Sequence, residues 1–191
     1  HLTTHLTTHL TTEAAQVNIE LIVQDCFFEA SQSATPEANS LTNPISTSTW
    51  EHWFSQWLET LHPDSPPAPT HELTLRLTDN AEIQALNSQF RHKNQPTDVL
   101  TFAALEVNSP QIPPDMQAAE LVYLGDVVIS VETAYRQAQH QGHPLSIELA
   151  WLATHGLLHL LGWDHPDEES LQRMLNQQQV LLQIVNLTLP V

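Results

Sequence analysis

The eleven residues His155-Gly156-Leu157-Leu158-His159-Leu160-Leu161-Gly162-Trp163-Asp164-His165 constrain this chain more than any other stretch. On a helix, His155 and His159 lie one turn apart on the same face, close enough to share one ion. Gly162 stands three residues past His159, where a glycine in the left-handed conformation ends a helix and lets the chain double back. That reversal brings His165 to the other two. Three neutral imidazoles around one divalent ion leave a fourth position for water, the arrangement of a catalytic rather than a structural zinc site. Residues 147–161 are apolar nearly all round, so the helix that carries the first two histidines is expected to be buried. Buried polar groups without partners cost about 1–3 kcal/mol each, and a shared metal satisfies both rings. The bland alternative is a set of core histidines bonded to carbonyls or carboxylates. Three at this spacing, with the glycine in place, favour the metal.

The single cysteine, Cys26, excludes both a disulfide framework and a thiolate zinc site, and fits a reducing compartment. No apolar run reaches the roughly 18 residues of a membrane span, and no basic-then-apolar leader opens the chain. A cytoplasmic protein without membrane contact is therefore expected. Five basic residues (Arg76, Arg91, Lys93, Arg136, Arg173) face 22 acidic ones, for a formal charge of −17. That excludes a general, charge-driven nucleic-acid binder. It leaves room for an enzyme that grips one or two phosphates with a few placed cations and a metal, and Arg91 and Lys93 share one short segment.

In chain order, residues 1–16 form a low-complexity tail that opens with three copies of His-Leu-Thr-Thr, read as disordered. One domain is expected over residues 17–191, with irregular Ser/Pro-rich insertions at about 30–49 and 106–119. Alternation of Val17, Ile19, Leu21 and Val23 predicts a first strand, and Leu73, Leu75 and Leu77 a second. Thr49 is a plausible N-cap for a helix whose Trp50, Trp53, Phe54, Trp57, Leu58 and Leu61 keep helical spacing and face the core. Asp79 or Asn80 caps a helix through Ile83, Leu86 and Phe90, followed by a Pro-containing turn and a short strand. Residues 121–130 predict a buried strand with Gly125 at a bulge or close contact. A helix over 132–141 stops at Gly142, Ser146 caps the metal helix, and Asp167, Glu168 and Glu169 open a last amphipathic helix. The expected fold is α+β: a single domain with a small mixed sheet packed by about five helices, the metal helix buried.

Two candidate residues stay ambiguous on residue chemistry alone. Arg91 either complements the end of its helix or binds phosphate or carboxylate. Asp164 either orients a ligand imidazole or caps its own turn.

The histidine run resembles the H-G-x-L-H-L-x-G-[YW]-D-H signature of the YbeY family of metal-dependent endoribonucleases. Two further blocks agree in order: Asn87-x-x-Phe90-Arg91 followed by Thr97-Asp98-Val99-Leu100-Thr101-Phe102, and residues 124–130, Leu-Gly-Asp-Val-Val-Ile-Ser. With Glu148-Leu149, the resemblance spans about residues 73–165. It implies a single-strand endoribonuclease of small-subunit rRNA 3′-end maturation and ribosome quality control. It implies one zinc on His155, His159 and His165, and a catalytic role for Arg91, with Asp164 the further candidate. Implied partners are single-stranded rRNA, the small ribosomal subunit, and ribosomal proteins or a ribosome-assembly GTPase. Thr101-Phe102-Ala103 departs from the usual Ser-Phe-Pro of the family, and the insertions and acidity are also unusual for it.

Two other readings differ in class. The run also fits the metzincin protease pattern H-E-x-x-H-x-x-G-x-x-H, except that Gly156 replaces the glutamate that takes a proton from zinc-bound water. The other is a non-catalytic, metal-stabilised ribosome-associated factor, whose acidic surface suits basic protein partners.

Overall fold

The computed structural model describes residues 18–29, 41–61, 70–104 and 122–189. Among the described residues, four strands and five helices follow in the order β1 (Ile19–Asp25), α1 (Thr47–Leu61), β2 (His71–Thr78), α2 (Asn80–Arg91), β3 (Val99–Ala103), β4 (Val122–Ser130), α3 (Val131–Gln141), α4 (Leu145–Leu160) and α5 (Glu168–Ile184). The sheet order is β1-β2-β4-β3. The first three run parallel and β3 pairs antiparallel with β4 at the edge. This is the expected α+β domain with a small mixed sheet and five helices. No helix among the described residues is long and apolar enough to cross a membrane.

Period-two alternation in the strands decides which face is buried. Ile19, Leu21 and Val23 of β1 pack on the main core, while Ile22 points outward and is exposed. The main core lies between that inner face and α1, α4 and α5. Its largest fully buried members are Trp50, Trp57 and Phe54, which pack tilted and edge to face along α1. The Trp57 indole N–H donates to the Leu181 carbonyl at 2.9 Å and ties α1 to α5. The tryptophan stripe is therefore core. On the other face, α2 covers only part of the sheet through a small cluster of Ile83, Leu100 and Val128.

Two local expectations shift. The tryptophan helix begins at Thr47, and Ser46 caps it, its hydroxyl accepting the Thr49 amide at 3.2 Å. The run Ser46-Thr47-Ser48-Thr49 offers four capping candidates, and the earliest is used, directly after the buried Ile45. Ser146 does not cap the metal helix. Pro144 takes that position without a side-chain bond, and a buried His143–Glu148 pair at 2.5 Å braces the helix start instead. Burial pushes the Glu148 carboxyl up, against the His143 ring that pulls it down. In α5, Leu171 and Val180 are exposed although both keep apolar spacing. Asp167 does open that helix, in a reciprocal capping box with Ser170. At Gly125 the β2–β4 register shifts, giving the expected irregularity. The tail at 1–16, the insertion at 106–119 and residues 30–40 of the other insertion lie outside the described residues.

The edge strand sets up the site. The Ser130 amide donates to the Asp98 carbonyl at 2.9 Å. Because pairing alternates along an antiparallel ladder, Leu100 and Phe102 also turn their backbone groups toward β4. Val99 and Thr101 therefore turn theirs to the side on which no described strand pairs. The Val99 amide there is taken by the Asp98 carboxylate at 2.8 Å.

Candidate metal centre and its neighbouring arginine

Helix α4 reaches the sheet because position 156 has no side chain. A Cβ on Gly156 would lie 2.6 Å from Val127 Cγ1 and 3.3 Å from Thr101 Cγ2. The glycine lets the helix backbone sit against β4 and β3, which brings the His155–His159 face up to the edge strand. The same contact leaves no space for the metzincin glutamate, so the protease reading fails on packing as well as on chemistry.

At its C-terminal end α4 stops at Leu160, and Gly162 takes φ 95°. The Gly162 amide donates to the His159 carbonyl and the Trp163 amide to the Leu158 carbonyl, both at 3.0 Å. These bonds satisfy last-turn carbonyls that would otherwise be left over. The chain then reverses as the spacing predicts. The ligand atoms of His155, His159 and His165 all lie within 4.8 Å of one another. Ring centroids are 4.5 Å apart for His155–His159, 5.3 Å for His159–His165 and 5.7 Å for His155–His165.

The ring nitrogens are oriented individually. His155 Nδ1 is 3.2 Å from the side-chain oxygen of Gln178, whose amide nitrogen donates to the Trp151 carbonyl at 3.2 Å. Gln178 is fully buried on α5. With its amide nitrogen engaged as donor, its oxygen accepts, so His155 carries its proton on Nδ1 and turns the Nε2 lone pair inward. That lone pair faces Nε2 of His159 at 3.0 Å. Burial pushes both rings below the ordinary histidine range. Mutual repulsion adds to the effect at His159, where the Trp163 backbone and the Asp164 carboxylate act weakly the other way. Neutral imidazoles this close are stabilised by a cation between them. On an ion with metal–nitrogen bonds of about 2.0–2.1 Å, tetrahedral ligands stand roughly 3.3 Å apart. The three residues fit a divalent metal.

Arg91 is the last residue of α2, which ends at once because His92 takes a left-handed φ of 59°. Its guanidinium donates to the outward-turned Thr101 carbonyl at 2.7 Å and lies 5.4 Å from the Phe102 ring centroid. The buried Asn87 braces the following turn, its side chain donating to the Gln95 carbonyl at 2.9 Å and its carbonyl accepting the Lys93 amide at 3.2 Å. The side chain of Arg91 borders two cavities. One, of about 270 Å³, it shares with Thr101, His155 and His159; the other, of about 580 Å³, it shares with Lys93, His159, Asp164 and His165. Two of the five basic residues of an otherwise acidic chain thus face the histidines.

Asp164 borders the larger cavity but spends one oxygen on its own turn, accepting the His165 amide at 2.8 Å. Of the sequence-derived residues, the structure brings His155, His159, His165, Arg91 and Asp164 to one place. Sequence reasoning missed Gln178. It stands in a run of polar residues with nothing in spacing or type to mark it, and only its contact with a ring 23 positions away shows its role.

A family model described as Endoribonuclease YbeY matches residues 36–186. This chain belongs to the YbeY family. The Endoribonuclease YbeY of Nostoc sp. is 57% identical over 175 residues, 92% of this chain and 94% of its own length. That of Trichormus variabilis is 58% identical over 171 residues, 90% of this chain and 96% of its own. The Synechocystis sp. protein of the same name is 46% identical over 170 residues, 89% and 92%. The match in both lengths makes family membership a property of the whole domain, not of the histidine run alone.

Proposed function

We propose that this chain is a zinc-dependent single-strand endoribonuclease that acts on small-subunit rRNA in 3′-end maturation and ribosome quality control, in the cytoplasm. The relatives' shared name supports RNA as the substrate class. The observation that carries the reading is that Arg91 borders both cavities onto which the histidines open, one with His155 and His159 and the other with Lys93, His159 and His165. His155, His159 and His165 would hold the ion, and a bound zinc would supply Lewis acidity at a phosphoryl oxygen or at water. The remaining roles belong to the chain itself. Arg91 presents a planar fork that matches phosphate oxygens, and its bond to Thr101 aims it at the histidines before substrate arrives. Lys93 adds a point charge beside it. Gln178 fixes the His155 tautomer. Asp164 holds the backbone of His165 in the turn. RNA cleavage asks less of position 156 than peptide hydrolysis does: the ribose 2′-OH already stands beside the phosphorus, and a bound metal would either promote its attack or supply hydroxide in its place.

With net charge −17, tight binding to free RNA is not expected. Delivery by the small subunit, a ribosomal protein or an assembly GTPase fits the charge better. The test pairs elemental analysis with cleavage of single-stranded RNA by the wild type, Arg91→Ala and His159→Ala. We expect about one zinc per chain, cleavage lost in both variants, and metal kept in Arg91→Ala. Metal without cleavage in any nuclease-free preparation, together with unfolding on metal removal, supports a structural metal in a ribosome-associated factor. Absence of metal refutes the site.

A further inference from the structure

Edge strand β3 separates two environments. Thr101 faces the histidine cavity, whereas its neighbour Phe102 lies in a third cavity of about 630 Å³ on the other face of the sheet. The last turn of α2 repeats the split: Arg91 faces the histidines and Phe90 lines the third cavity. Phe90 and Phe102 meet edge to face, centroids 5.2 Å apart, and Phe90 remains 49% exposed. An accessible aromatic pair thus adjoins the cation expected to grip phosphate, across a single strand.

The rest of the cavity is hostile to phosphate. Its one cation among the described residues, Arg76, is neutralised by Glu82 through bonds of 2.5 and 2.8 Å. Asp126 accepts from the Tyr123 hydroxyl and brings a carboxylate acceptor to the cavity wall. Tyr123 stays a protonated donor, its hydroxyl pushed up to about 12 by burial and by Asp126. Apolar Leu86 and Val128 complete the wall. Such a cavity repels the backbone of RNA and suits a neutral ring that carries hydrogen-bond donors at its edge.

We propose that this cavity is a base-binding subsite: one unstacked base of the RNA strand stacks on Phe90, while the phosphate beside it is held at Arg91. The proposal rests on the endoribonuclease reading of the neighbouring site. It adds how a strand is gripped by a protein with so few cations. Stacking of a base on an aromatic ring tolerates any sequence, and its loss weakens binding by about 5- to 150-fold. That grip does not depend on the cations this chain lacks.

The test uses the full-length protein and a fluorescein-labelled single-stranded RNA dodecamer, with one nucleotide at a time made abasic. Affinity is read by anisotropy in metal-free protein at low salt, and cleavage is read separately with zinc. In the wild type, an abasic nucleotide at one position should weaken binding by about 5- to 150-fold. Phe90→Ala should weaken the intact strand to the same degree and become indifferent to the abasic site. Phe90→Tyr should behave as wild type. Thermal melts confirm that the exposed substitutions fold. Binding that shows this pattern without any cleavage keeps the subsite and removes the nuclease reading. Cleavage with no position-dependent loss, or a loss that Phe90→Ala leaves intact, overturns the subsite. Neither binding nor cleavage overturns both.

Discussion

Gln178 offers the sharpest test of how the metal centre is built. Gln178→Leu keeps the volume roughly constant in a fully buried position and removes the acceptor for His155 Nδ1. The Trp151 carbonyl keeps the Thr154 hydroxyl at 2.7 Å, so only the imidazole loses its partner. One buried polar group left unsatisfied costs about 1–3 kcal/mol. For a domain of this size that is a fall in Tm of about 2–12 °C in the metal-free protein. With the tautomer no longer fixed, zinc affinity should drop about 10- to 100-fold, equivalent to roughly 1.4–2.7 kcal/mol. Gln178→Glu supplies an anionic acceptor at the same place and should restore or exceed wild-type zinc affinity. Competition with a chromophoric chelator reads the affinities, and differential scanning fluorimetry reads both stabilities. Unchanged zinc affinity in Gln178→Leu, with its Tm lowered, would refute the orienting role and leave Gln178 as packing.

Other outcomes follow from the same geometry. Gly156→Ala places a methyl group 2.6 Å from Val127 Cγ1. The crowding costs about 1–3 kcal/mol against a helix-propensity gain of about 1 kcal/mol, so chemical denaturation should report a net loss. Because burial holds His155 and His159 below the ordinary histidine value, the unfolded chain binds more protons than the folded one just below about pH 6.5. Stability of the metal-free protein is therefore full above that pH and falls as the solution is acidified toward the folded values. Urea midpoints between pH 7.5 and 5 should show the decline, and His155→Gln should flatten it. Asp164→Ala frees the His165 amide and loosens that ligand. Zinc affinity should fall while turnover at saturating zinc changes less than about tenfold, whereas a direct part in proton transfer would cost about 10²- to 10⁴-fold.

How much was legible varied with how local the signal is. The strands announced themselves by alternation, and α1 by its aromatic stripe, because both report a choice between core and solvent that each residue makes alone. The three histidines were legible for the same reason: eleven residues encode the helix, its end and the reversal. Arg91 could be named as a candidate, but its aim could not, since that depends on which carbonyls β3 turns outward. Gln178 was invisible, being one polar residue among several on α5 until the fold sets it against His155. Ser146 misled because a capping residue competes with whatever else can brace a helix start, and here the buried His143–Glu148 pair does so.

The edge strand has one more consequence. An unpaired strand edge is a template on which a second chain can add a strand. On β3, two of the outward groups are taken by side chains: the Val99 amide by Asp98 and the Thr101 carbonyl by Arg91. On the proposed function Arg91 would guard part of this edge as well as reach for phosphate, and it could not fully serve both at once. A substrate phosphate that drew Arg91 away would uncover the Thr101 carbonyl, and Arg91→Ala would leave it uncovered in every molecule.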